Sequence, residues 1–412
     1  MTTPTVGRVI LHVGTPKTGT SYLQDVLFRN QRTLGEHGIL YAADRFDAHF
    51  LAALDLMRLP WGGLEREAIG AWDRLAEEVR GWHGDTAVIS HEILAAASRS
   101  QVGRALTSLG HDRGGQGVEV HLVLSVRDLV RQIPAEWQEN VKHRSGMSYS
   151  RFLDRVTDPA RNSRIASWFW SVQEIPEILD RWGAELPPER VHLVTVPSPG
   201  GAPDVLWKRF SQAFGLEGID LALEDERANP SLGVPETALI RRINRSANRV
   251  LPPAEYRPLV RELLAHQTLS RRVLSPRLAL PPERVEWVQE REAAFVAAIE
   301  RRGYDVIDDL HDLRGNVGLH PYVDPDKPRE RDVAFAAVDA IKALLLETAR
   351  MRAEEERLRA ELEETRTALS RSYLRPSYRV REKAVKGLAH NPVGRGLLSV
   401  YRLARGRSSR SA

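Results

Sequence analysis

The sequence predicts a three-layer α/β domain of the P-loop-like kind, with a central parallel sheet, a helical extension and then a C-terminal coiled coil. Three observations carry this expectation. Arg8–Val13 is a continuous apolar run that passes straight into a glycine-containing loop and a helical pattern, as a strand buried on both faces does. Further strand-like runs recur at Thr86–Ser90, Val118–Val126 and Val191–Val196, with helical stretches between them at βαβ spacing. Near the C-terminus, apolar residues repeat every seven positions.

The 412 residues accommodate one large α/β domain plus appendages, and 42% hydrophobic with 28% charged residues is a globular composition. Cysteine is absent, which excludes disulfides, thiolate metal sites and cysteine nucleophiles. The N-terminal apolar run is interrupted by His12 and followed by a glycine loop, unlike a signal peptide, and no apolar stretch of about eighteen residues occurs. The cytoplasm is the expected compartment. The net charge of +4 is uneven: residues 371–412 hold eleven Lys or Arg against one Glu, or +10, leaving the first 370 residues at −6. A mildly acidic main domain does not suit a nucleic-acid partner.

From Pro235 to Arg302 the pattern is helical, with Pro252, Pro253, Pro281 and Pro282 at helix starts. The Gly-, Pro- and Asp-rich segment from Gly315 to Pro328 reads as a linker. The expected organisation is therefore a main domain over 1–315, a linker over 316–332, a coiled coil over 333–370 and a basic tail over 371–412. Ile341, Thr348, Glu355, Leu362 and Leu369 fall seven apart, with Leu344, Met351, Leu358 and Thr365 as the second series, and this seam predicts pairing of two chains into a homodimer. The alternative is a single solvated helix held by pairs such as Glu355 with Arg359. In the tail, residues such as Tyr373, Tyr378, Leu388, Leu397 and Tyr401 interleave with the basic ones. That mixture suits peripheral contact with an anionic membrane at its inner face, the alternative being a solubilising tail.

The most informative segment is His12–Ser21, HVGTPKTGTS, between the first strand and a helix starting near Thr20. Strand, glycine loop and helix form an anion-binding geometry, because successive backbone N–H groups and the helix N-terminus point at one place. Gly14 and Gly19 permit close approach, and the Thr and Ser hydroxyls add donors. A nucleotide P-loop has lysine directly after its last glycine; here Thr20 follows Gly19, and the lysine is Lys17, inside the loop. Lys17 is also the only lysine before Lys142 in a chain that otherwise uses arginine, which marks a demand for a compact ammonium charge.

Pro16-Lys17-Thr18-Gly19-Thr20-Ser21 after a buried strand resembles the 5′-phosphosulfate loop of the sulfotransferase family. The resemblance implies transfer of a sulfuryl group from 3′-phosphoadenosine 5′-phosphosulfate, a co-substrate used without a metal. It gives Lys17 the bridging or sulfuryl oxygens and gives loop contacts to Pro16, Thr18, Gly19, Thr20 and Ser21. A second element, LVLSVRD, ends the strand at Val126 and is similar to the family's 3′-phosphate element, which implies that Arg127 binds that phosphate. The family's serine eight residues later is replaced by Ala135, and Arg131, Gln132 and Gln138 are the residues near enough in sequence to compensate.

The acceptor needs a general base, and His91 and Glu92 stand at the end of a buried strand, where α/β sheets present their sites; Glu92 is favoured, with helix capping as the structural alternative for either. Trp168, Phe169, Trp170 and Trp182 read as core or as the lining of an acceptor pocket. The segment Arg227–Glu236 reads as a turn leading into a helix and resembles a stretch of bacterial sulfotransferases. The acceptor is open among small natural products, glycans and lipids. Two competing readings are a divergent P-loop kinase or NTPase, which would need a lysine after Gly19 and a magnesium carboxylate, and a catalytically inactive coiled-coil scaffold, suggested by Ala135.

Overall fold

The structure is a computed structural model and describes residues 6–112, 117–200, 202, 204–223, 231–315 and 321–374, together with 383, 385, 387 and 388. The chain divides into two compact units, residues 1–340 and 341–412.

The first unit is built on a six-stranded sheet: β1 (Arg8–His12), β2 (Ile39–Tyr41), β3 (Thr86–Ser90), β4 (Glu119–Val126), β5 (Val191–Thr195) and β6 (Asp305–Ile307). Their spatial order is β2-β3-β1-β4-β5-β6, and every pairing is parallel. Register follows from burial on both faces. Ile10, Val88, Val123 and Val194 face one layer with Leu23, Val26 and Leu27 of the helix Thr20–Arg29 and Phe210 and Phe214 of the helix Val205–Phe214. Their strand neighbours Leu11, Ile89, Leu122 and Leu124 are equally buried on the opposite face, as the two-residue period of a strand requires. The three-layer α/β fold expected from the sequence is the fold observed, and the two strands that periodicity did not reveal, β2 and β6, are three residues each.

Pro253 and Pro282 open short helical turns preceded by Pro252 and Pro281, where a missing N–H costs no hydrogen bond. Of the segment Arg227–Glu236, residues 227–230 lie outside the described residues; Gly233 precedes the helix Val234–Ala247. Within the Gly- and Pro-rich stretch, Asp326 accepts bonds from the backbone N–H groups of Tyr149 and Ser150, at 3.0 and 2.9 Å, and pairs with Arg241.

The helix Glu330–Leu374 begins inside the first unit, where Val333, Ala336 and Ala340 are buried and Glu330 pairs with Arg242. In the second unit the same helix carries Ile341, Leu344, Met351, Leu358, Leu362 and Leu369 exposed. Most of the basic tail lies outside the described residues. Among the described residues no helix is long and apolar enough to cross a membrane.

Candidate functional site

In this sheet β1 is flanked by β3 and β4, so the chain winds outward in opposite directions from the centre. Such a reversal opens a crevice at the carboxyl ends of the strands. The residues singled out in the sequence leave the sheet there: the loop 13–19 after β1, His91 and Glu92 after β3, and Arg127 after β4.

The first loop is fixed from below. Thr15 donates its backbone N–H to Ser125 O, and Ser125 returns its own to Gly14 O, both at 2.6 Å. Thr18 Oγ1 donates to Thr15 O at 2.6 Å and also meets Ser125 Oγ at 2.6 Å. Buried His12 bridges Ser90 Oγ and Ser125 Oγ at 2.8 and 2.9 Å. Burial pushes its imidazole down to about 3, so at neutral pH it is an uncharged tie between β1, β3 and β4. Pro16 presents its carbonyl to Gln132 Nε2 at 3.0 Å and to Gln173 Nε2 at 3.4 Å.

Glycine is required at position 14, where φ is +101° and a Cβ would lie 2.8 Å from both Cα and O of Glu92. That contact seats the loop directly against the β3 end. Lys17 itself has a left-handed φ of 66°, a conformation costing a non-glycine residue about 1 kcal/mol or more. Gly19, at φ 90°, precedes the helix Thr20–Arg29, whose N-terminus receives no side-chain cap among the described residues. Thr20 is buried in the first turn and Ser21 is exposed on it. First-turn N–H groups without intrahelical acceptors, beside a lysine, are an arrangement that can hold an anion.

Lys17 Nζ donates to Glu139 Oε2 at 2.5 Å, reaching the helix Leu129–Lys142. Glu139 is a shared counter-ion, since Lys142, His143 and Arg261 lie 4.0, 3.1 and 3.6 Å from its oxygens. Burial pushes its carboxyl up, but the His143 hydrogen bond and the charges of Lys17 and Lys142 outweigh burial and hold it well below the usual range. One turn earlier, Glu136 is buried, and this raises its carboxyl to about 7 against the opposing pull of Lys17 and Arg127. Burial lowers the Arg127 guanidinium to about 10, still charged at neutral pH. Its Nη2 donates to Arg131 O at 3.2 Å, while its buried Nε has no hydrogen-bond partner among the described residues. A buried charged donor left unmatched costs more than 1 kcal/mol unless an anion meets it.

The residues around Ala135 are differently engaged. Arg131 pairs with Asp128 and donates to Val196 O and Pro197 O, and Gln138 exchanges hydrogen bonds with the backbone of Leu232. Gln132 reaches the first loop through Pro16, and its Oε1 is buried without a partner among the described residues.

At the β3 end, His91 Nδ1 accepts the Ile93 N–H at 3.3 Å, capping a short helical turn. Burial lowers its imidazole against the raising pull of Glu92, and the cap leaves the proton of the neutral ring on Nε2. Glu92 accepts from Gln24 Nε2 at 3.1 Å and lies 3.9 Å from His91. Burial pushes the Glu92 carboxyl up, yet His91, backbone hydrogen bonding and Gln24 together hold it below its ordinary value. A row of rings leads outward from this point: Phe50 stacks on His91 at 5.1 Å, Trp61 meets Phe50 at 5.5 Å, and Trp168 meets Trp61 at 6.4 Å. Phe169, Trp170 and Trp182 are buried core instead.

Sequence reasoning missed Ser125, Gln24, Glu136 and Glu139. Ser125 carried a weak signal, as the residue two before Arg127 at a strand end; the others become visible only once helices are packed. Among the described residues no three His, Asp or Glu side chains converge as a metal site.

No protein-family model and no curated relative matches the sequence. Among solved structures, the chain is similar to the crystal structure of a sulfotransferase from Alicyclobacillus acidocaldarius, at 14% identity and a TM-score of 0.40, over 74% of this chain and 98% of that one.

Proposed function

We propose that this chain is a sulfotransferase that moves the sulfuryl group of 3′-phosphoadenosine 5′-phosphosulfate to a hydroxyl or amine of a small-molecule, glycan or lipid acceptor. The observation that carries the reading is the loop after β1. Lys17 is held in a left-handed conformation between two positive-φ glycines, ahead of an uncapped helix N-terminus. A kinase-type loop would carry its lysine after Gly19, where Thr20 stands.

The residues fit the donor's two anionic ends. The loop N–H groups and Lys17 would hold the 5′ side, and the Nε of Arg127, without a partner among the described residues, would suit the 3′-phosphate. The donor supplies an activated sulfuryl group on a phosphate leaving group. Lys17, once it leaves its bond to Glu139, stabilises negative charge on the departing bridging oxygen. Glu92, ionised and oriented by Gln24, takes the proton from the attacking hydroxyl or amine. His91 has its Nδ1 lone pair committed to the Ile93 cap, so it serves Glu92 as a neighbour and leaves the base role to the carboxylate. The exposed edge of Phe50, Trp61 and Trp168 offers the acceptor an apolar wall beside that base.

Thermal unfolding tests the reading with 3′-phosphoadenosine 5′-phosphate, with ATP plus magnesium, and with neither. Ligand at 100 times its dissociation constant stabilises by about 2.7 kcal/mol. A rise of the midpoint with the bisphosphate in the presence of EDTA is expected. A rise only with ATP and magnesium would favour the kinase reading, and no response to either would favour an inactive scaffold.

A further inference from the structure

The exposed face of the helix Glu330–Leu374 beyond Ala340 carries two rows of charge that flank its apolar seam. With Ile341, Thr348, Glu355, Leu362 and Leu369 as position a and Leu344, Met351, Leu358 and Thr365 as position d, the e positions are Leu345, Arg352, Arg359 and Arg366. The g positions are Glu347, Glu354, Glu361 and Ala368. Every charged e residue is arginine and every charged g residue is glutamate. Among the described residues the seam has no cover: Ile341, Met351, Leu358, Leu362 and Leu369 are all at least half exposed.

We infer that this face pairs with a second copy of the chain in a parallel, in-register two-stranded coiled coil. In a parallel pair each g residue meets the e residue five positions later on the other helix, and e and g charges set orientation. Glu347 then faces Arg352 of the second copy, Glu354 faces Arg359, and Glu361 faces Arg366, each contact occurring twice by symmetry. An antiparallel pair sets g against g and e against e, so glutamates oppose glutamates and arginines oppose arginines. The same sequence therefore favours one orientation and penalises the other.

Glu355 is the weak layer, because a parallel register sets it against its own copy; its partner on its own helix is Arg359 at 2.6 Å. Residues 341–369 span about 44 Å as a helix. This inference is independent of the proposed chemistry.

The absence of cysteine makes the test clean. T365C introduces a thiol in the seam and A353C one on the outer f position, each in the full chain. Under mild oxidation T365C is expected to form a disulfide-linked dimer and A353C to remain uncrosslinked, with the unmodified chain sedimenting as a dimer. E355L is expected to tighten the dimer by about tenfold or more, and E347R/E354R/E361R to weaken it by about tenfold or more. A chain that sediments as a monomer both unmodified and as E355L would overturn the inference. A dimer in which T365C fails to crosslink, or which tolerates the triple charge reversal, would overturn the parallel orientation.

Discussion

Replacing Glu139 with Gln separates the stability of the site from its affinity for anions. The wild-type carboxylate holds Lys17 at 2.5 Å and is shared with Lys142, His143 and Arg261. A charge-assisted bond contributes about 1.5–3 kcal/mol. The Lys17 and Glu139 side chains are 23% and 18% exposed, so solvent screening places the pair near the lower end of that range. Glutamine keeps the shape and loses the charge, and Lys142, already lowered to about 8 by burial, loses its principal counter-ion. Unfolding in urea at pH 7.5 should show E139Q less stable by about 2 kcal/mol. Because the folded carboxyl is held below its unfolded value, this contribution is complete above about pH 4.5 and lost as pH falls through the folded value, so the two proteins should converge in acid. Binding should move the other way. An ammonium no longer committed to Glu139 is free for phosphate, and recovering 1–2 kcal/mol corresponds to about a 5- to 30-fold tighter dissociation constant for 3′-phosphoadenosine 5′-phosphate by calorimetry. If E139Q binds the bisphosphate more weakly, Lys17 is a structural partner of Glu139 and the loop assignment fails.

Other substitutions probe neighbouring parts of the site. Gly14→Ala combines a forbidden φ with a 2.8 Å contact on the Glu92 backbone, whereas Gly303→Ala has φ +65° and open space; chemical denaturation should show the first costing about 1–3 kcal/mol more than the second, and equal costs would remove the contact from the account. Glu136, raised to about 7 by burial, holds a proton in the folded state that the unfolded chain has released. Its contribution makes stability fall as pH rises from about 4.5 to 7, and E136Q should flatten that part of the pH–stability curve; an unchanged slope would place the titration elsewhere. Arg127→Ala should weaken the bisphosphate by about 1.5–3 kcal/mol while leaving an analogue without the 3′-phosphate nearly unaffected, and equal losses for both would make Arg127 structural. Ala135→Ser should tighten the bisphosphate if the family's hydroxyl is missed here, and a level or weaker affinity would assign that place to Gln132.

The strands that were legible in the sequence, β1, β3, β4 and β5, are five to eight residues long and largely buried on both faces, so each carries a run of adjacent apolar residues. β2 and β6 were not legible because three residues cannot establish a period. The candidate loop 13–19 stood out in the sequence for a related reason: its glycines, lysine and hydroxyls are contiguous, and contiguity survives without tertiary knowledge. Glu139 and Gln24 were not, since their partners lie 122 and 68 residues away and the contacts depend on how helices dock at the crevice. Only packing showed which ring nitrogen of His91 is occupied by its cap. The heptad seam was visible in sequence, and the structure adds that its apolar residues find no cover among the described residues.

The most direct test of the account follows sulfur-35 from labelled 3′-phosphoadenosine 5′-phosphosulfate into acceptors of a cell extract, with EDTA present and with wild-type protein or Lys17→Ala. The account predicts labelled product with wild type and a rate lower by about 10²–10³ with Lys17→Ala, the variant retaining the wild-type circular dichroism. Equal labelling by the two proteins, or none by wild type despite binding of the bisphosphate, would contradict it.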